Sequence, residues 1–396
     1  MLELKSRVKE LAHKYLSETV SIRRHLHAHP ELSFQEYLTS DYIAECLKQC
    51  NIPFEQGMVK TGIVAIIEGK NPSKKIVALR ADLDALPIQE TTGTEYRSRT
   101  DGVMHACGHD AHSASLLGAA KILNELRNEF EGSVKLIFQP GEEKLPGGAS
   151  LMIKEGVLES PRPSCIFGQH VFPSMETGKV GFRKGMYMAS TDELYITVTG
   201  KGGHAAMPSE YVNPLLISAV ILTELNKSFM LDKKNVPTVL AFGKIAGNGA
   251  TNVIPDEVKI EGTFRTMDEN WRKDAHVQMK IIAQQIATSM GGTCEFRIEV
   301  GYPFLVNEEV TTSRAQQSAE EYLGKENVEE LPLRMTAEDF AFYSQQIPSC
   351  FYRVGTGNKS KGITSGVHTS TFDIDESSLE IGSGLLAWIT LQELSA

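Results

Sequence analysis

A chain of 396 residues, 41% of them hydrophobic, can fill the core of one large domain and of a smaller companion. Its formal charge of -10 and isoelectric point near 5.6 argue against a nucleic-acid partner, and its longest apolar run, "PLLISAVILTEL", falls well short of the roughly 20 residues that span a bilayer. Six scattered cysteines (Cys46, Cys50, Cys107, Cys165, Cys294 and Cys350) suggest no disulfide framework, so free thiols and a cytoplasmic location are expected.

The opening "MLELKSRVKELAHKYLSETV" reads as a charged amphipathic helix without the apolar centre of a signal peptide. From there to about residue 185, the β-rich runs "GIVAIIEG", "KIVALRADLD", "SVKLIFQPGEE" and "SCIFGQHV" alternate with helical patterns such as "SASLLGAAKILNELRNEF". Alternation of this kind predicts an α/β domain around a mostly parallel sheet flanked by helices, with ligands bound beyond the carboxyl ends of the strands. "RADLD", "QPGEE" and "GQHV" each place polar residues where an apolar strand stops.

From Asp192 the order changes. A strand ("DELYITVTG"), a helix ("NPLLISAVILTELNKS"), two strands ("VPTVLAFGKIAG" and "EVKIEGTFRT"), a helix ending at Gly291 and a last strand ("TCEFRIEV") give β-α-β-β-α-β, the ferredoxin-like α+β order. This predicts an inserted domain over 189–299, with 1–188 and 300–396 forming the first domain. The helix and strand patterns "VTTSRAQQSAEEYLG", "AEDFAFYSQQ" and "SCFYRVGTG" and a Leu-rich final helix complete that domain.

The chemistry-bearing residues fall at the predicted strand ends and loops. In "MHACGHDAH", Cys107 and His109 sit two apart, so their thiolate and imidazole can face one ion of the zinc kind. Two donors leave a site incomplete, and Glu142 and Glu143 in "QPGEE", His170 in "GQHV" and His368 in "GVHTSTFDIDE" are candidates to complete it. Singly, each has an ordinary explanation as a packed histidine or a solvated turn; their conjunction favours a joint metal site. Two adjacent glutamates can divide labour, one binding an ion and the other accepting a proton from an activated water. By contrast, His25, His27 and His29 in "HLHAHP" read as helix-end and turn packing, and His13 and His276 as exposed, while His105 and His112 flank the cluster. In the inserted domain, "GKGGHAAMP" puts His204 in a glycine-rich loop, and Asn252 and Arg265 can clamp a substrate carboxylate.

Together, "IRRHLHAHPELSFQE", "ALRADLDALPIQE", "MHACGHDAH", "LLGAAKIL", "FQPGEE", "GGHAAMP", "ATNVIPD", "EDFAFY" and "VHTSTFDIDE" resemble the M20 family of metallopeptidases through nearly the whole chain. The match is closest to the amidohydrolase branch of aminoacylases, hippurate hydrolases and auxin-conjugate hydrolases. The resemblance implies a zinc-peptidase-like catalytic domain with two divalent ions per subunit, zinc or manganese, with cobalt or nickel as alternatives. It also implies an inserted lid that dimerises, a tetramer being open.

By motif position, Cys107, His109, Glu143, His170 and His368 look like the metal ligands, with Cys107 where other branches carry a bridging aspartate. Asp84 then orients a ligand histidine. Asp82 stands where other branches carry a metal-binding histidine, and His109 is expected to take over that duty. Glu142 resembles the family's general base, His204 the lid histidine that steadies the oxyanion, and Asn252 and Arg265 the positions facing a substrate carboxylate. Two departures, Ser209 where many relatives have His and Thr336 where they have Gly, put substrate fit in doubt but remove no ligand. The implied reaction splits an N-acyl amino acid into a carboxylate and a free amino acid, with cleavage of dipeptides or short peptides as the alternative. A Cys107 nucleophile, or a site whose ions are only structural, are the rivals from other classes.

Overall fold

The computed structural model describes residues 2–229 and 236–396. The chain divides into two compact units, Met1–Tyr187 with Val306–Pro332 and Asp339–Ala396, and Met188–Leu305 with Leu333–Glu338. Leu333–Glu338 thus groups with the second unit, although its position after the inserted domain suggested the first.

The first unit is built on an eight-stranded sheet in the order Phe54–Met58, Gly62–Glu68, Ser133–Gln139, Ile76–Asp82, Cys165–Glu176, Ser349–Gly357, Val180–Phe182 and Val328–Glu330. It is a mixed sheet, parallel at its centre with antiparallel pairings towards the flanks. The four central strands, from Ser133–Gln139 to Ser349–Gly357, run parallel. Gly62–Glu68 pairs antiparallel with both its neighbours, and Val180–Phe182 lies antiparallel to Ser349–Gly357. Connection length explains part of the difference: only a few residues separate Phe54–Met58 from Gly62–Glu68, and so tight a link joins antiparallel strands only.

Ser133–Gln139 and Ser349–Gly357 are buried along their whole length, as expected of strands covered on both faces. Helices Leu2–Ala28, His109–Glu125 and Ser378–Ser395 pack on one another, and the last is apolar on nearly every side and buried accordingly. The core they close includes Val8, Leu79, Leu117, Leu136, Phe167 and Trp388.

The second unit runs β-α-β-β-α-β through Asp192–Thr199, Pro214–Phe229, Thr238–Ala246, Glu257–Thr266, Glu269–Ser289 and Thr293–Val300. Its four strands form an antiparallel sheet in the order Thr238–Ala246, Glu257–Thr266, Asp192–Thr199, Thr293–Val300. The two helices pack together, and Leu194, Ile196, Ile221, Phe264 and Met279 belong to a separate core. No helix among the described residues is long and apolar enough to cross a membrane.

Candidate metal centre

Three neighbouring parallel strands of the first unit deliver polar residues to one edge of the sheet. Ile76–Asp82 ends at Asp82 with Asp84 just beyond, Ser133–Gln139 is followed by Glu142 and Glu143, and Cys165–Glu176 carries His170. Helix His109–Glu125 begins within "MHACGHDAH" itself, earlier than its apolar pattern suggests, because Gly108 turns the chain at φ +86°. A Cβ there would also come within 2.5 Å of Val171 Cγ2, so both conformation and space require glycine. The turn brings Cys107 beside His109, while His112 follows on the helix's first turn. His368 also has a left-handed backbone, φ +62°, a conformation that costs a non-glycine residue about 1–3 kcal/mol, and its N–H donates to Ala106 O at 2.7 Å.

The ligating atoms of Cys107, His109 and His170 form one close group and those of Cys107, Glu143 and His368 another, so the sulfur belongs to both. Cys107 Sγ lies 3.5 Å from His170 Nε2 and 3.3 Å from His368 Nε2, which is 3.1 Å from Glu143 Oε1. Hydrogen bonds fix the free ring nitrogens. His109 donates its Nδ1 proton to Asp84 Oδ1 at 3.2 Å and His170 donates its own to Val171 O at 2.8 Å, leaving both Nε2 lone pairs for the cluster. His109 Nε2 is buried with no hydrogen-bond partner among the described residues.

Charge points the same way. Burial opposes protonation of His109, but the Asp82 and Asp84 carboxylates outweigh it and raise its pKa to about 10. Burial, then the carboxylates of Glu143, Glu142 and Asp82, push the Cys107 thiol well above its usual range. A pocket that holds a proton on His109 and resists a thiolate has excess negative charge, and a cation at the shared sulfur would relieve both. Thiol, imidazole and carboxylate donors together suit divalent transition ions.

Asp82, His109 and His112 form a further group of potential ligands, but His112 is already used at both nitrogens. Its Nδ1–H donates to Asp82 Oδ1 at 2.6 Å, and its Nε2 accepts the Val171 N–H at 2.9 Å. Asp82 also accepts from Arg80 Nη1 at 2.6 Å. Asp82 and His112 therefore brace the cluster rather than complete it. Asp84 does the same for the glutamates, accepting the Glu142 N–H at 3.0 Å, the Glu143 N–H at 2.9 Å and the Ser33 hydroxyl at 2.6 Å. Glu142 is buried beside Glu143, and its Oε1 accepts the Asp339 N–H at 3.3 Å.

In the second unit, His204 and Asn252 are neighbours at the small antiparallel two-stranded sheet of Gly203–His204 and Val253–Ile254, where the Ala205 N–H donates to Asn252 O at 3.1 Å. Both side chains are exposed. The Ala206 N–H donates to His204 Nδ1 at 3.1 Å, which places the ring proton on Nε2. Arg265, on Glu257–Thr266, is partly buried and donates to Met335 O at 3.1 Å; no hydrogen bond joins it to His204 or Asn252 among the described residues.

Two histidines depart from expectation. His276 is partly buried, not exposed, and its Nε2 lies 2.7 Å from Asp192 Oδ2, because Asp192 is a buried acid that also binds Arg272. His27 does more than pack at a helix end: with Arg23 it holds the buried Asp110, at 2.7 and 2.8 Å. Neither pairing is visible in local spacing, since the partners lie more than eighty residues away. The remaining two behave as packing groups, His25 stacking on Tyr42 and His29 donating to His25 O.

Comparison with known proteins bears on this geometry. The model of peptidase family M20/M25/M40 matches residues 78–392. The chain is 38% identical over 388 residues to thermostable carboxypeptidase 2 of Saccharolobus solfataricus, covering 96% of this chain and 95% of that protein. It is 40% identical over 305 residues to the N-acyl-L-amino acid amidohydrolase of Geobacillus stearothermophilus, covering 76% and 81%. A crystal structure from Bacillus subtilis, of a dinuclear metal-binding peptidase of the M20 family, superposes with a TM-score of 0.84 at 34% identity, covering 97% of this chain and 99% of that one.

Proposed function

The chain belongs to peptidase family M20/M25/M40 and is a hydrolase, and on that premise we propose that it cleaves the amide bond of N-acyl amino acids with the help of two divalent metal ions. The observation that carries this reading is the pair of ligand groups sharing Cys107, with a second carboxylate, Glu142, alongside the ligand Glu143. A purely structural ion site has no need of that second carboxylate, and a thiol nucleophile would not sit among ligands that raise its pKa. Cys107, His109, Glu143, His170 and His368 would hold the ions, zinc or manganese, with cobalt or nickel as alternatives. When bound, the ions supply Lewis acidity to the acyl carbonyl and to water.

The chain's own residues do the rest. Glu142 takes a proton from the attacking water and later gives it to the leaving amine, so one carboxylate serves as base and then as acid. Its backbone is fixed by Asp84 and its side chain meets the Asp339 N–H, which keeps it aimed without neutralising it. His204, with its proton on Nε2, would donate to the developing oxyanion, and Asn252 and Arg265 would receive the substrate's carboxylate. The last role rests on residue type and resemblance.

Short peptides are the second reading, favoured by the similarity to a carboxypeptidase: a dipeptide offers the same amide and free carboxylate. Release of amino acid from N-acetyl, N-benzoyl and indole-acetyl amino acids, beside dipeptides, separates the two when run on chelated and metal-restored protein. Metal-dependent release from the acylated compounds supports the proposal, cleavage of dipeptides alone replaces it with the peptidase, and no metal-dependent turnover removes both.

We also propose that the second unit acts as a lid that pairs two copies, with a tetramer as the larger alternative. Leu216 and Val220, exposed four residues apart on helix Pro214–Phe229, support this reading. A monomer by light scattering would count against it.

A further inference from the structure

Glu36 has no part in the chemistry above, yet its carboxylate is completely buried. It occupies the N-cap position of helix Tyr37–Gln49 and makes no side-chain capping bond there. Glu31 takes over that task, accepting the Thr39 N–H at 2.8 Å. Glu36 instead reaches across to the turn after Ser133–Gln139. Its Oε1 accepts the Gly141 N–H at 2.9 Å and the Phe34 N–H at 2.8 Å, while its Oε2 accepts the Thr61 hydroxyl at 2.8 Å.

With Asp84 holding the next two amides, the three successive N–H groups of Gly141, Glu142 and Glu143 all end on buried carboxylates. The same short segment supplies the packing. Phe34 adopts φ +65°, and its ring lies where a Cβ on Gly141, itself at φ +61°, would meet it at 2.4 Å. Ser33 donates to Asp84. A stretch more than a hundred residues earlier in the chain thus clamps the turn that bears the base and a ligand.

We infer that Glu36 is a positioning residue: by holding the Gly141 amide it fixes the turn that aims Glu142 at the reaction and Glu143 at the ions. This rests on the hydrolase reading above for its kinetic consequence only. The grip depends on reach more than on charge. A neutral side chain of the same length can accept both amides at one oxygen and donate to the Thr61 hydroxyl from the other end. Burial, and then the Asp84 carboxylate, raise the Glu36 pKa to about 7, and its protonated form can make the same set of bonds.

Removing the side chain altogether risks unfolding, so Glu36→Gln and Glu36→Asp provide the test. Aspartate keeps the charge and is a favoured N-cap, so the helix should form, but its carboxylate retreats by about 1.5 Å from Gly141. Losing such a brace typically costs about 10- to 100-fold in activity or metal affinity. The expected result is that Glu36→Asp loses about that much in kcat, with KM little changed. It should also bind manganese(II) alone more weakly and exchange the amide hydrogens of residues 140–143 faster, while Glu36→Gln stays within about threefold of the parent in all these measures. Parent-like behaviour of Glu36→Asp in all of them, or Glu36→Gln impaired as badly as Glu36→Asp, would overturn the inference. If the parent protein turns over no substrate, the functional reading fails by itself, and manganese(II) binding and amide exchange still decide the role of Glu36.

Discussion

The candidate residues of the two units are held in opposite ways. In the first unit Asp82, Asp84, His109 and His112 are almost fully buried, and each is joined to another polar group. In the second, His204 and Asn252 stand exposed on a short two-stranded sheet, tied mainly through the backbone. Gathering carboxylates and imidazoles inside a protein costs folding free energy unless partners offset it, which is why Arg80, Ser33 and Val171 N–H appear around the cluster. An exposed histidine needs no such support. On the proposed reading, the contrast teaches that groups meant to keep a geometry for ions are built in during folding, while a group proposed to meet only the reacting carbonyl is left at the surface.

Substitutions can break that contrast or sharpen it. The largest effect is expected from Glu142→Gln, which should keep its ions but lose hydrolysis by about 10²- to 10⁴-fold; metal analysis beside kcat checks it, and loss of metal would move Glu142 into the ligand set. Next comes His204→Ala, expected to cost about 10²- to 10³-fold in kcat with the unfolding midpoint unchanged. A clear fall in thermal stability there would show that the exposed two-stranded sheet is structural after all.

Asp110→Ala probes the buried side without removing a ligand, since it takes from Arg23 and His27 the buried carboxylate they share and leaves them only Asp373, Glu376 and Glu90. It should cost about 3 kcal/mol by urea unfolding, measured at saturating metal. A loss below about 0.5 kcal/mol would mean that the buried pairs beneath the cluster contribute little.

The smallest effect concerns the loop that follows His368. Burial raises the pKa of Asp375, but bonds from Asn358, Lys361 and Ser377 outweigh it and bring it down to about 2. Because the folded value lies below the unfolded one, the contribution is present above about pH 4 and lost as pH falls through 2; solvent screening limits it to about 1 kcal/mol. Asp375→Asn should flatten that acid limb of stability, and an unchanged limb would remove the carboxylate from the account.

Much of the candidate site was legible because apolar strands give way to polar residues: Asp82 and Glu142 announce themselves this way, whereas the strand expected to stop at His170 runs on to Glu176. His368 was a candidate only as a histidine donor in a loop without periodic pattern, and the resemblance added its place among the ligands. The start of the helix at His109 was hidden because a glycine in a left-handed turn looks the same in sequence as any loop glycine. The antiparallel flanks of the sheet were hidden too, as alternation gives a strand's faces but not its direction. Glu36 is the sharpest omission: a glutamate just before a helical pattern reads as a cap or a surface charge. Only the long-range approach of Gly141 reveals its use.

The central claim is that Cys107 belongs to two ion sites at once. Titrating zinc(II) or manganese(II) into chelated parent and Cys107→Ala proteins, with stoichiometry read by calorimetry, tests it most directly. The account predicts two ions per chain in the parent and loss of tight binding at both sites in the variant, with the fold intact by circular dichroism. Two ions still bound tightly by Cys107→Ala would contradict it.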